Sequence, residues 1–460
     1  MNTTNHLPHT PAPLAHNPTT GFRTFAIIWS GQLVSLLGTG MSRFALLIWA
    51  YQQTGTATTL ALLGFFSWIP FVIISPFAGV WVDRWDRRKV MLFADLGAAS
   101  MTGIVLLLLL TGNLMIWHLF LLEAVASACE AFQLPAYTAA TTVLLPKDLY
   151  ARAGGMRSMA NDAALVGGPL AGGALLALIG LQGVLWIDVV TFFVAAGTLI
   201  WVRIPHLPAI ATCDSSATGS FGQQLQMGFT FIYARKGLLG LTLLFTGIMF
   251  FATLTYFSVL PTLILARTGN NEFTLATVQA TLGIAGILGG LAVSAWGLPR
   301  RKIHALLIGT ALSFFGGDLL FAIGRSLHLW ILGASIAAFC IPYISTANQT
   351  IWQIKTPPQM QGRVFAVQAM LRNCSAPLGY LLAGPLADHV FGPAMNPGGV
   401  WVGTFDWLVG TGPGAGIGLM FICTGILGTL MGLSGYLVPA IRRVEADLPD
   451  YDATVAVFTD

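Results

Sequence analysis

The sequence predicts an all-α membrane protein of twelve transmembrane helices in two six-helix pseudo-repeats. Three observations carry this. Of 460 residues, 55% are hydrophobic and only 9% charged, with a mean hydropathy of +0.75, which excludes a soluble globular domain. Apolar segments of bilayer-crossing length recur along the whole chain. Lys and Arg gather in alternate connections between those segments, as the membrane-orientation rule requires.

Taken in order, residues 1–22 have neither a charged n-region nor an apolar h-region, so no signal peptide is read there. They are expected to form a disordered cytoplasmic tail, with His6, His9 and His16 scattered among Pro and Thr. Predicted spans lie at 24–50, 58–82, 89–111, 116–144, 157–180, 183–203, 238–266, 274–297, 303–323, 328–353, 362–390 and 415–440. Residues 23–204 then make the N-terminal half and 237–440 the C-terminal half, with 441–460 a second cytoplasmic tail. The stretch 205–236 reads as a cytoplasmic linker. Within it Phe221, Leu225, Phe229 and Ile232 recur at helical spacing, giving either a surface amphipathic helix or an extension of the seventh span. The long Gly- and Pro-rich connection 391–414 carries Trp401, Asp406 and Trp407, consistent with a partly ordered external cover.

Orientation comes from the basic residues. With the N-terminus inside, the inner flanks hold eighteen of the 22 Lys and Arg. Only Arg267 and Arg325 fall outside, while Arg43 and Arg372 lie within spans. Both termini are therefore expected to be cytoplasmic, in an inner (cell) membrane. The net charge of +4 is dispersed over helix ends, which argues against nucleic acid as a partner. Five cysteines (Cys129, Cys213, Cys340, Cys374, Cys423) stand singly, so neither a disulfide framework nor a metal site is suggested. There is no GxxxxGK[ST] loop, no nucleophile–base constellation and no cofactor motif, so the chain does not read as an enzyme or an ATP-driven pump.

The densest charge lies at Gly79-Val80-Trp81-Val82-Asp83-Arg84-Trp85-Asp86-Arg87-Arg88-Lys89, between the second and third spans. Gly-x-x-x-Asp-Arg-x-x-Arg-Arg resembles the loop 2–3 signature, motif A, of the major facilitator superfamily of secondary transporters. The resemblance implies a gating role for Gly79, Asp83, Arg84, Arg87 and Arg88. Asp83 would sit against the positive N-terminal end of span 11, near Gln361-Gly362-Arg363, and hold the cytoplasmic side shut. A weak echo of the stretch, Gly290 to Trp296 and then Pro299-Arg300-Arg301-Lys302, recurs in the second half with Ser294 in place of the acid.

In span 5, Gly168, Pro169, Gly172 and Gly173 form Gly-Pro-x-x-Gly-Gly, which resembles motif C of the antiporter branches. Gly155 fits the fuller pattern, but Ala164 stands where another glycine is usual. The same residues also suit a plain close-packing seam between kinked helices.

Ionisable residues inside a membrane are costly and mark function by default. Arg43 falls in span 1. Glu123 and Glu130 lie seven residues apart in span 4, on one helix face. In the major facilitator arrangement spans 1, 4, 7 and 10 line the cavity, so Arg43 is expected to pair with Glu123 or Glu130. The pair is either a proton-coupling site, with Glu130 foremost, or a static ion pair. Asp162 is a further proton-coupling candidate, and Asp95, Asp318 and Arg372 are weaker intramembrane charges. Aromatic and amide groups on spans 7 and 10 supply the substrate-cavity candidates Phe250, Tyr256, Tyr343, Asn348 and Gln349, and the charge of Arg372 on span 11 adds one more. They suggest a wide apolar cavity with few fixed polar groups.

Three more stretches extend the resemblance: Glu130-Ala-Phe-Gln-Leu-Pro-Ala-Tyr, Gly362-Arg363-Val364-Phe365, and Pro377 through Asp388. They look like the bacterial branch containing macrolide-efflux and enterobactin-exporter-like proteins. Phe391 through Gly399 looks like members associated with peptide natural products. The resemblance implies a monomeric, proton-driven exporter of amphipathic drugs, siderophores or secondary metabolites. An uptake or facilitative carrier of the same fold and a lipid flippase are the competing readings.

Overall fold

The computed structural model describes residues 18–146, 149–202, 221–357 and 360–451. Of the expected tails, 1–22 and 441–460, residues 1–17 and 452–460 lie outside the described residues, as does the first half of the expected linker 205–236, up to residue 220. Among the described residues there is helix and no strand, and ten helical segments are long and apolar enough to cross a membrane. Helices dominate because a bilayer offers no partner for backbone N–H and C=O groups, and a helix satisfies them internally.

The first half comprises α1 (Pro18–Thr54), α2 (Ala57–Arg84), α3 (Arg87–Leu110), α4 (Ile116–Leu144) and α5 (Tyr150–Trp201). Between α2 and α3 the chain reverses at Trp85-Asp86, where the Asp86 carboxylate accepts from the Arg88 and Lys89 amides and caps α3. Spans 5 and 6 are one 52-residue element, which would be about 78 Å long if straight. It is not straight. Gly180 (φ 69°, ψ 177°) interrupts it, and its two ends meet the same part of α1. Trp29 Nε1 donates to Met156 O (2.8 Å), while Gly31 abuts Ala195 and Thr198. The element is thus a hairpin of two spans with Gly180 at its apex.

In the second half, α6 (Phe221–Tyr233) precedes a seventh span made of α7 (Lys236–Ala252), a π-helical turn (Thr253–Phe257) and α8 (Leu260–Thr268). Then come α9 (Glu272–Trp296) and a ninth span of α10 (Lys302–Leu312), a π turn (Ser313–Asp318) and α11 (Leu319–Ile323). The tenth is α12 (Leu327–Lys355). The eleventh is broken into α13 (Gln361–Asn373), α14 (Ser375–Pro385), a π turn (Leu386–Phe391) and α15 (Gly392–Met395). Its first part carries Gln361, Arg363, Gln368, Arg372 and Asn373, which is why it is not among the ten apolar segments. With the α5 hairpin counted twice and this broken rod once, the spans among the described residues number twelve.

After α16 (Val402–Val409) the twelfth span, α17 (Ala415–Leu437), leads into α18 (Pro439–Arg442) and α19 (Val444–Asp447). The connection 391–414 is ordered: Met395, Val409, Ala415 and Leu419 form a small core with Phe391 and Trp401 packed on it. Arg267 ties this cover down by donating to the carbonyls of Ala322 (2.9 Å), Gly324 (2.6 Å) and Val409 (3.1 Å). At the opposite end, the buried Lys355 ammonium holds the C-terminal turns through Glu445 O, Leu448 O and Asp450 Oδ1, each at 2.5 Å.

We call the end with α6 and α18 the linker end, and the end with Gly180 and α16 the far end. Among the described residues, hydrogen bonds that join the two halves lie at the far end: Gln52 to Glu272 (2.8 Å), and Ala57 and Thr58 to Asp388.

Candidate functional site

A cavity of about 750 Å³ opens between the halves, and its wall belongs almost wholly to the first. Helix α1 presents Gln32, Ser35, Thr39 and Arg43, successive turns of one face. Helix α3 adds Asp95 and Thr102; α4 adds Glu123, Glu130, Gln133 and Tyr137; the second arm of α5 adds Asp188 and Phe192. The second half contributes Phe257, Ser258 and Gln279. Lining residues toward the linker end, such as Leu134 and Asn161, are exposed, whereas Phe44, Leu60 and Ser258 toward the far end are buried. The cavity therefore opens toward the linker end.

Two polar constellations and a buried acid face this space. Arg43 Nη2 lies 2.7 Å from Glu130 Oε1 and 3.1 Å from Glu123 Oε1, so one guanidinium bridges two acids stacked two turns apart. Asp95 accepts from Gln32 Nε2 (2.8 Å) and Gln133 Nε2 (2.7 Å), and Gln133 also donates to Gln32 Oε1 (3.0 Å). Asp188, only 4% exposed, accepts from Thr39 Oγ1 (3.2 Å) and Thr102 Oγ1 (3.1 Å). Arg157 also lines the cavity and donates to Thr138 Oγ1 (2.9 Å). Four carboxylates against two guanidiniums make the wall acidic. Most of its surface is apolar, as expected from the sequence, but it carries more fixed polar groups than that reading named.

Asp188, Gln32, Gln133 and Thr102 were not among the expected site residues, although a signal existed. Gln32, Ser35, Thr39 and Arg43 form a polar stripe at helical spacing inside an otherwise apolar span, and Asp188 is an acid inside the sixth.

The other candidates fall in several places. Asp162 is partly buried on the first arm of α5 and is not in the wall, although its neighbour Asn161 is. Asp318 is buried in the second half, accepting from Thr424 Oγ1 at 2.9 Å. Phe250, Tyr256, Tyr343, Asn348, Gln349 and Arg372 do not line the cavity. Tyr256 packs edge-on against Phe321, Tyr343 lies by Phe339, Asn348 is 4% exposed and Arg372 Nε reaches Asn373 Oδ1 at 3.4 Å. Span 7 reaches the wall through Phe257 and Ser258, which end and follow the π turn at Thr253–Phe257.

The Gly-Pro-x-x-Gly-Gly residues sit on a seam. Gly168 meets the backbone of Gly40 and Gly172 that of Met41, each at 3.0 Å from where a Cβ would stand, and Gly173 abuts Ala276 in the other half. Pro169 lines the cavity. Of the loop 2–3 set, the contacts of Gly79 and of the Asp83, Arg84 and Arg87 side chains lie outside the described part. Arg88 donates through Nε to Leu199 O (2.7 Å) and through Nη2 to Ile200 O, closing the C-terminal end of α5 with a cation. Among the described residues no group of three or more His, Cys, Asp or Glu side chains could hold a metal ion.

The fold has clear counterparts. The Major Facilitator Superfamily profile matches residues 28–380. The chain belongs to the Major Facilitator Superfamily. Macrolide efflux protein A of Streptococcus pyogenes is 25% identical over 370 residues, covering 80% of this facilitator and 90% of that protein. The multidrug efflux pump Tap of Mycolicibacterium fortuitum is 26% identical over 374 residues, covering 79% and 88%. Among solved structures, the nucleoside transporter NupG superposes with a TM-score of 0.66 at 11% identity, over 89% of this chain and 98% of that one. An inward-facing bacterial homolog of the human lysosomal transporter Spinster gives 0.67 at 17% identity, over 92% and 98%. The facilitator is therefore a multi-pass membrane transporter with efflux pumps among its relatives.

Proposed function

We propose that this facilitator exports amphipathic small molecules, with drugs, siderophores and secondary metabolites as the candidate classes, in exchange for protons. The observation that carries the reading is the Arg43–Glu123–Glu130 bridge in the cavity wall. One guanidinium serves two acids, so a proton on Glu130 frees Arg43 for Glu123, and a cationic group of the substrate competes for the same carboxylate. Proton and substrate then exclude one another at one site, which is what antiport requires. The two efflux pumps among the relatives support the export direction. The Lys and Arg distribution supports a cytoplasmic linker end, so that the cavity faces inward. On this reading residues 23–204 and 237–440 are the two moving halves, and the chain works as a monomer with a complete pathway of its own.

The test uses purified protein in liposomes with an imposed pH gradient, following uptake of a cationic dye or a macrolide together with internal pH. Gradient-driven uptake with counterflowing protons, abolished in Glu130→Gln, is the expected result. Gradient-independent movement that survives Glu130→Gln removes the coupling assignment and leaves a facilitative carrier or a lipid flippase.

A further inference from the structure

The seam between the halves at the far end has an unusual cap. Helix α2 begins at Ala57, and its own N-cap residue, Thr56, makes no side-chain cap bond to the helix. Its hydroxyl instead lies 2.9 Å from Thr59 Oγ1. The first-turn donors are satisfied from the other half of the molecule. Asp388 accepts from Ala57 N through Oδ1 (3.0 Å), and from Thr58 N (2.7 Å) and Thr58 Oγ1 (2.6 Å) through Oδ2. Both carboxylate oxygens are thus directed at the positive end of a helix across the seam.

The neighbouring residues show a built interface. One turn before Asp388, Gly384 lies directly on the Thr58 backbone, with no room for a Cβ. Further in, Gly64 lies against the Tyr380 ring. The antiparallel pair is therefore closed from 57/388 to 64/380. The same stretch of α2 turns Leu60, Leu63 and Gly64 to the cavity, and beyond it Ser67 and Phe71. The seam therefore closes the far end of the cavity.

We propose that Asp388 is the latch of the far end: a positioning residue that caps α2 from the opposite half and holds the cavity shut on that side. Opening the far end separates α2 from the eleventh span, and the three bonds must break together. This rests on the alternating-access reading of the transporter but not on the identity of the substrate or the coupling ion. It differs from the loop 2–3 motif, whose acid, Asp83, stands at the linker end of the same helix. The two acids would serve opposite ends of one antiparallel pair.

The test measures the far-end distance directly. Spin labels are placed at Asn113 and Val400, both exposed far-end positions in opposite halves, in a protein whose native cysteines have been replaced. The unmodified protein is expected to show mainly the short distance of the closed far end. Asp388→Asn should move the closed-to-open ratio roughly tenfold toward longer distances, since bonds to a charged acceptor are lost. Asp388→Glu should restore much of the short population. Thr58→Val, which removes one bond and leaves both amides, should give a smaller shift in the same direction and keeps the test available if Asp388→Asn fails to fold. Distance distributions that superimpose on the unmodified protein in the variants that fold overturn the latch, even with transport intact. A shift in a protein that moves no test substrate upholds the latch and counts only against the export reading.

Discussion

Arg43 offers a single Nη2 to two acids, 2.7 and 3.1 Å away, so its removal leaves two carboxylates facing each other in the cavity wall without a cation. A double-mutant cycle between Arg43→Leu and Glu130→Gln should give a coupling of about 0.5–3 kcal/mol in thermal or denaturant unfolding. The cycle between Arg43→Leu and Asp318→Asn, whose acid lies in the other half, should be additive within about 0.5 kcal/mol. Additivity in both cycles would show the bridge to be too loose to organise the wall. At this scale the sequence was partly legible. Glu123 and Glu130 announce their shared face by a seven-residue spacing. Asp95 gave no such sign, because its amide partners come from α1 and α4, 63 and 38 residues away.

Helices in this molecule owe their paths to a few glycines. Gly180 sits at φ 69° and ψ 177°, a backbone region that residues with a Cβ rarely enter, and nothing lies within 4 Å of where a Cβ would stand. Substitution there strains the backbone without a clash, so Gly180→Val should cost about 1–3 kcal/mol, read as a lowered unfolding midpoint. An unchanged midpoint would mean that the hairpin reverses elsewhere. Gly168 has the opposite character. Its backbone is helical, but the Gly40 backbone leaves no freedom, whereas at Gly167 the nearest atom is the movable end of the Leu37 side chain. Gly168→Val should therefore impair folding or transport much more than Gly167→Val, measured as yield of monodisperse protein and rate of uptake. Equal effects would remove the close-packing explanation. Hydropathy and Gly-Pro content foretold both spans of this element, yet the contact that makes Gly168 indispensable and Gly167 tolerant depends on the rotation of α1.

Among the described residues, the hydrogen bonds between halves lie at the far end while the cavity opens at the linker end. On the proposed orientation, argued from the basic residues, the linker end is cytoplasmic, and this has a direct check. A single cysteine at Val400 should react with a membrane-impermeant maleimide in intact cells, whereas one at Gln226 on α6 should react only after permeabilisation. The reverse pattern would invert the orientation and, with it, the export reading. Twelve spans, most of their boundaries to within a few residues, and the shared face of Glu123 and Glu130 were determined by the sequence itself. Hydropathy and charge act locally on each segment, since the bilayer is the same solvent for all of them. Which wall the cavity uses, the network of Gln32, Asp95 and Gln133, the bonding of Asp188 to Thr39 and Thr102, and the capping of α2 by Asp388 were decided only by tertiary structure. Each of these depends on the rotation of one helix against another, which no local property of a single segment fixes.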